Sequence, residues 1–324
     1  VGWKGTLRSI NSAMKAAERE SQRRYKADQK RRVASEAADA VDDWKQEIND
    51  LISIHADLAD AINWHKLVEV PKPKTPSNFT KHREQIAPKL KNFKPKMFDF
   101  LFGGTEKRKT KLIASFEAAK LKDQTAQEKA KLEHETALQD WEDETSMAKR
   151  VLAGDAHAAH QVVSEMQTVT DQAIIGKKVN FKFDQNFVHA ITEVHSDDIV
   201  PNYRRKQLAS GKLSETKMPV GEFNELYQDY VASAALKIAG DLFHILPHPE
   251  IYVTCTSMML DTQTGYQKPT PILSAQFVRE TFMRLNIAMV DPSDALENFN
   301  HVMNFKRAKG FNEIKPMHPI EEIK

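Results

Sequence analysis

The densest run of residue types suited to chemistry is Glu193-Val194-His195-Ser196-Asp197-Asp198, at the end of a β-rich stretch. Strand alternation puts Glu193 and His195 on one face, and Asp197 joins them if the strand continues. Two carboxylates and an imidazole are a donor set for a divalent cation, or an acid and a base for proton transfer. The same residues also read as a solvated strand face entering an Asp-rich turn. Glu193, His195 and Asp197 are therefore the catalytic candidates. A metal-dependent nuclease would want a further carboxylate and a lysine on an adjoining strand. Asp184 and Lys182 are available there, but their spacing matches no nuclease signature.

Other constellations carry less. His157 and His160 are three apart, one turn from Asp155, which suits either a shared metal or a capped helix with surface histidines. His244 and His248 straddle Pro247 at the end of an apolar helical stretch, where the helix dipole favours a protonated imidazole. Ser210-Gly211-Lys212-Leu213-Ser214 hints at a phosphate loop. It fails because Lys206 occupies the upstream glycine position and Leu213 stands where Ser or Thr would bind magnesium. With no dinucleotide fingerprint and no GxSxG elbow, neither a cofactor nor a metal is assigned. The single cysteine, Cys255, lies in the strand-like run Ile251–Cys255, where a thiol behaves as a small buried hydrophobe. One cysteine allows no disulfide within the chain, which fits a reducing, cytoplasmic location.

The charge distribution is more informative. The whole chain carries a formal +2, yet residues 1–33 hold ten basic side chains against three acidic ones. Arg19, Arg23, Lys26 and Lys30 follow the three-four spacing of one helical face, and Arg8, Lys15 and Arg24 widen the stripe. A helix charged in this way can track a phosphate backbone, or it can simply be solvated. No apolar stretch follows the basic start and no run approaches the length of a membrane span, so neither a signal peptide nor a membrane partner is expected. Val1 in the first position suits a GTG start codon of a bacterial gene.

The elements that must position these residues change character near residue 170. Residues 6–64 contain no proline and no glycine, and Val41, Trp44, Ile48, Leu51, His55, Leu58 and Ile62 recur at three and four residues. That spacing predicts a coiled-coil seam that covers a partner helix. Prolines 71, 73, 76, 88 and 95 break residues 66–104 into a Pro- and Lys-rich connection. A second long helix, capped by Thr105, runs to Gly154, and a shorter one follows from Asp155 to about Val169. Beyond this, Val179–Asp184 and Phe187–His195 read as a β-hairpin, Glu222–Leu246 as a very apolar helix, and Ile251–Met259 with Thr270–Phe277 as a second hairpin. Short helices follow, one near 278–285 and one opened by Asp291-Pro292-Ser293-Asp294.

The motifs Gly211-Lys212-Leu213-Ser214, Lys217-Met218-Pro219, Leu226-Tyr227-Gln228-Asp229-Tyr230-Val231, Leu246-Pro247, Pro271-Ile272-Leu273-Ser274 and Asp291-Pro292-Ser293-Asp294-Ala295-Leu296 resemble the C-terminal region of a set of bacterial proteins with no established function. The resemblance extends loosely to the Arg-rich N-terminal helix and the Phe102-Gly103 turn. It implies a bacterial origin and transfers no catalytic residue.

The sequence therefore predicts an α+β protein. An antiparallel, coiled-coil-like helical hairpin over residues 1–170 precedes a compact α/β domain over 171–324, with a mostly antiparallel sheet in the order ββαββα. Its functional expectation is a non-enzymatic scaffold that meets a protein partner or itself through the seam. The alternative is nucleic-acid binding through residues 8–32, with a metal-dependent nuclease in the second domain.

Overall fold

The computed structural model describes residues 3–94, 104–166, 175–176 and 179–318, and of residues 3–17 the backbone alone. It is α+β, with two long helices and a mostly antiparallel sheet. By packing, the chain divides into one compact unit of Val1–Ile62 with Gly154–Lys324 and another of Asn63–Ala153, bounds that differ from a division at residue 170.

The first unit opens with α1 (Trp3–Ile52), an uninterrupted helix of 50 residues. Ala37 and Val41 are buried, and the segments Tyr203–Gln207, Leu213–Lys217 and Val220–Ile245 pack on this helix. The helix stops at Ile52, so His55, Leu58 and Ile62 of the seam lie outside it. A short 3-10 turn (Ile54–Ala56) and an extended strap to Ile62 follow instead. α5 (Ala156–Glu165) begins where Asp155 accepts the His157 and Ala158 N–H groups at 2.8 and 3.2 Å, as its capping character predicts.

The strands β1 (Val179–Phe183) and β2 (Phe187–Glu193) form the expected hairpin. β3 (Tyr203–Gln207) and β4 (Leu213–Lys217) then form a separate two-stranded ribbon, so the predicted ββαββα order gains a hairpin before its helix. Nothing apolar alternates in those strands. The ribbon is ordered by contact with α1 and by the Arg205–Glu215 pair at 3.0 Å. After α6 (Val220–Ile245) come β5 (Glu250–Leu260) and β6 (Gln267–Val278), the short helices α7 (Arg279–Phe282) and α8 (Pro292–Ala295), β7 (Asn300–Met303), and the two-residue pair β8 (Phe305–Lys306) and β9 (Gly310–Phe311). The five-stranded sheet runs β1-β2-β5-β6-β7, and only the β2–β5 pair is parallel.

The core lies between α6 and one sheet face. Val188 and Ala190 of β2, Ile251, Val253 and Cys255 of β5, and Leu273, Ala275 and Phe277 of β6 are all buried there. α6 is more than an apolar rod. Ser233, Lys237 and Asp241 are buried on the side that meets the strap, and with His244 they hold its backbone. The Ser233 hydroxyl accepts the His55 N–H at 3.1 Å, and Asp241 Oδ1 accepts the Ala59 N–H at 2.7 Å. Lys237 Nζ donates to the Asp57 carbonyl and lies 3.1 Å from Asp241, while the His244 carbonyl accepts the Ile62 N–H at 2.9 Å. These partners explain why α1 does not continue: the strap's polar groups are satisfied by α6. Gly240 permits the approach, because a Cβ there would stand 2.6 Å from Leu58 Cδ2 and 3.0 Å from Phe282 Cζ. Arg279 closes the far end of α6. Its Nη1 donates to the Phe243 carbonyl and its Nε to that of His248, both at 2.9 Å, and Nη2 reaches Leu246.

In the second unit, α2 (Trp64–Glu69), an extended proline-bearing stretch and α3 (Lys81–Lys91) lie along α4 (Gly104–Leu152). α4 begins one residue before Thr105, which is therefore inside the first turn rather than its cap. The extended stretch is fixed by side chains of α4: Trp141 Nε1 donates to the Val70 carbonyl at 2.7 Å, and Gln127 accepts the Phe79 N–H at 2.8 Å. Asp123 of α4 then caps α3 from outside, accepting the His82 and Arg83 N–H groups at 3.0 and 2.9 Å and lying 2.8 Å from His82 Nδ1. Burial opposes its charge, but those N–H groups and the imidazole outweigh it, so its pKa falls below the ordinary aspartate value.

The buried ion pair gives a direct test of the strap. Asp241→Ala should cost about 3–5 kcal/mol in urea unfolding, because it strands the Lys237 ammonium and the Ala59 N–H. Lys237→Met with Asp241→Asn removes both charges and keeps an acceptor for Ala59, and should recover most of that loss. Equal losses in the two proteins would show that the pair does not hold the strap.

Candidate nucleic-acid interface

At 100° per residue, Arg19, Arg23, Lys26 and Lys30 share the helical face that continues through Ala37, Val41, Trp44, Ile48 and Leu51. One face of α1 thus has two chemistries. From Ala37 onwards it is buried or half-buried against the fold, and from residue 18 to 33 every side chain is exposed. The change occurs at Ala34, where the β3–β4 ribbon ends. Gln207 Nε2 donates to the Ala34 carbonyl at 2.6 Å, and Gly211 in the ribbon's turn stands so close that a Cβ would lie 3.1 Å from Ala34 Cβ. Its φ of +81° also requires glycine. Lys212, next in the turn, is exposed, whereas alternation puts Lys206 on the face of the ribbon opposite Gln207.

The cations of this face are uncompensated. Arg24 pairs with Glu20 at 2.5 Å, but Arg19, Arg23, Lys26, Lys30 and Lys212 make no ion pair among the described residues. The four cations from Arg19 to Lys30 span about 17 Å of helix, a length over which a duplex strand offers about five phosphates. Tyr25, 65% exposed, adds an aromatic ring, which Gln29 holds through its hydroxyl at 2.8 Å. The side chains of Arg8 and Lys15 lie outside the described residues.

The predicted carboxylate and imidazole trio does not lie on one strand. β2 ends at Glu193, and Asp197 opens a 3-10 turn (Asp197–Ile199), so alternation does not carry to Asp197. Between them, the backbone of His195 is clamped by two tyrosines of α6: Tyr230 Oη accepts its N–H at 3.1 Å, and Tyr227 Oη donates to its carbonyl at 2.9 Å. Gly176 presses on the same turn, where a Cβ would fall 1.9 Å from the Glu193 carbonyl oxygen. Among the described residues, no group of three or more His, Cys, Asp or Glu side chains is placed to hold a metal ion. His160 packs edge-on to Phe183 instead, with centroids 5.8 Å apart.

One further expectation changes. His248 is buried, and loss of hydration outweighs the Asp184 carbonyl that its Nε2 meets at 3.0 Å, so its pKa is lowered and the imidazole is neutral. Arg279 supplies the cation that the helix end favours. Burial pushes the Cys255 thiol up to about 12, which leaves it unreactive. The sequence reading missed a polar relay on the other sheet face. His189 Nε2 lies 3.0 Å from Thr254 Oγ1, which lies 3.0 Å from Ser274 Oγ, and that hydroxyl accepts the Met317 N–H at 3.1 Å. Burial lowers the pKa of His189, and the tail residues 314–317 cover the relay. A polar residue every second position in neighbouring strands is its only trace in the sequence.

On α6, Asp229 faces Asp291, Asp294 and Glu225. Burial first, then these three carboxylates, raise its pKa to about 6, against the Ser293 hydroxyl, which lowers it. A carboxyl raised in this way binds its proton more tightly in the folded state, so stability falls as pH rises from about 4 to about 6 and stays lower above. Asp229→Asn should therefore raise stability by about 1–2 kcal/mol at pH 8, with little gain below pH 4, in paired thermal melts. An advantage independent of pH would refute the assignment.

No helix among the described residues is long and apolar enough to cross a membrane. No protein-family model, curated protein or solved structure matches the chain, so its function is read from its own surfaces.

Proposed function

We propose that the protein binds nucleic acid along the exposed basic face of α1, with Lys212 of the β3–β4 turn beside it. One observation carries the reading. A single helical face is apolar where the fold covers it and becomes an unpaired run of cations where the cover ends, so its charge is not used inside the unit. Contacts to phosphate would dominate and sequence preference would be small, because lysine and arginine on a smooth helix position a backbone without reading bases. The proposal is binding alone; no cleavage chemistry is part of it.

Full-length protein should bind labelled duplex DNA or RNA with an affinity that falls steeply with salt. The triple variant Arg23→Glu, Lys26→Glu, Lys30→Glu should lose at least about tenfold in affinity and reduce the slope of log K against log salt by about two to three units. These side chains are exposed, so the thermal melt should not move. Unchanged binding by this variant would end the proposal.

A second reading, association through a helical surface, rests on α4. Leu121 and Leu132, 61% and 66% exposed, are eleven residues apart and so lie on one side of the helix. In that reading the protein is a scaffold that meets a partner or its own copy by this face, since Val41 on α1 is already covered by β3, β4 and α6. Light scattering should then show a dimer or larger species that dissociates in Leu121→Asp, Leu132→Asp; a monomer at all concentrations would dismiss self-association.

A further inference from the structure

The two sides of α4 differ in use. Ala119, Asp123, Thr145 and Ala148 are buried on the side against which α2 and α3 pack. On the opposite side Ala114, Ala118, Leu121, Thr125, Leu132 and Thr136 recur at three, four and seven residues, and all are exposed. That spacing is an association seam of small side chains and leucine, with Glu128 the one charge that falls within it.

The seam can be covered at little polar cost. The Thr125 hydroxyl donates to the Lys122 carbonyl and the Thr136 hydroxyl to the Leu132 carbonyl, both at 3.0 Å, so neither is stranded when water leaves. Alanine and threonine also let two helix axes approach to roughly 8 Å. From Ala114 to Thr136 the seam runs about 33 Å.

Charge identifies the occupant. Residues 111–122 hold three lysines against one glutamate, whereas residues 133–144 hold six carboxylates and no lysine or arginine. Two copies of α4 laid parallel would set acid on acid. Laid antiparallel, the lysine-bearing stretch of each lies on the acidic stretch of the other, and a two-fold axis makes every such contact twice. The leucines fix the register. Leu121 on Leu132 of the second copy brings Lys120 and Lys122 level with that copy's Glu133 and Glu135. Within its own helix Lys120 lies 3.9 Å from Glu117, and Glu133 3.7 Å from Lys129, both exposed pairs too long for a hydrogen bond.

We infer that the protein forms an antiparallel two-fold dimer through the exposed face of α4, with Leu121 against Leu132 of the second copy. The inference rests on the reading of α4 as an associating surface and is independent of the basic face of α1.

The test uses the full chain in sedimentation from about 1 to 100 μM, the range suited to a small two-helix contact. Lys120→Glu with Lys122→Glu should weaken the dimer about tenfold, Glu133→Lys with Glu135→Lys should do the same, and all four together should restore it. Glu128→Leu, which completes the seam, should tighten it about tenfold with helix content unchanged. Orientation is read with a short thiol cross-linker at single cysteines, since Cys255 is buried. Thr125→Cys, near the two-fold axis, should link to its own copy. Ala114→Cys, about 37 Å from its counterpart, should link only when mixed with Gln139→Cys.

A strict monomer would overturn this dimer together with self-association by α4. A dimer that survives Leu121→Asp, Leu132→Asp would put the interface elsewhere and overturn both as well. If that variant is monomeric but Ala114→Cys links to its own copy, the antiparallel arrangement is overturned and the associating face stands. Failure of the fourfold charge exchange to restore the dimer would overturn the register.

Discussion

The first unit depends on the grip of α6 on the strap that follows α1. Lys237 and Asp241 are buried, and their charges are tolerable only because each is satisfied by the other and by the backbone of residues 57–59. Asp241 keeps a raised pKa, burial outweighing the Ala59 N–H and Lys237, and one of its oxygens has no partner among the described residues. The interaction is therefore expensive, and what it secures is position: it ends α1 at Ile52 and turns the chain back along α6 past Gly240.

The rest of the arrangement follows from that fixed exit. With its last turns tied to α6, α1 presents Ala37 and Val41 to the β3–β4 ribbon, which buries them. The same helical face beyond Ala34 then has no cover and carries arginine and lysine instead. The ribbon is a fitted support rather than a core element, since its strands are held by Arg205–Glu215, Arg204–Glu222 and Gln207 to Ala34. The two tyrosines of α6 play the corresponding part on the sheet side. They take up the backbone of His195, so a turn rich in chemical groups is used to fasten β2 to the core.

The candidate site was only partly legible in the sequence. The stripe Arg19, Arg23, Lys26, Lys30 could be read by spacing alone, because a helix without proline or glycine fixes which side chains align. Lys212 could not, since its place depends on a turn that reaches α1 from far along the chain. Nor could the packing of α3 against α4, which depends on Asp123 and Gln127 reaching back some forty residues or more along the chain. The polar stripe of α6 was hidden because Ser233, Lys237 and Asp241 sit four residues apart within an overwhelmingly apolar helix, and hydrophobic pattern outweighed them.

By itself the sequence determined what is local. The long helices, the β1–β2 and β5–β6 hairpins, the apolar character of α6, the Asp155 and Asp291 caps and the mostly antiparallel sheet all follow from periodicity and capping chemistry within a few residues. Tertiary structure decided where α1 stops, what covers its apolar face, and which polar clusters are brought together or held apart. Those outcomes turn on distant partners: α6 offers the strap better hydrogen bonds than another helical turn would, and two tyrosines claim the backbone that alternation would have left to an extended strand.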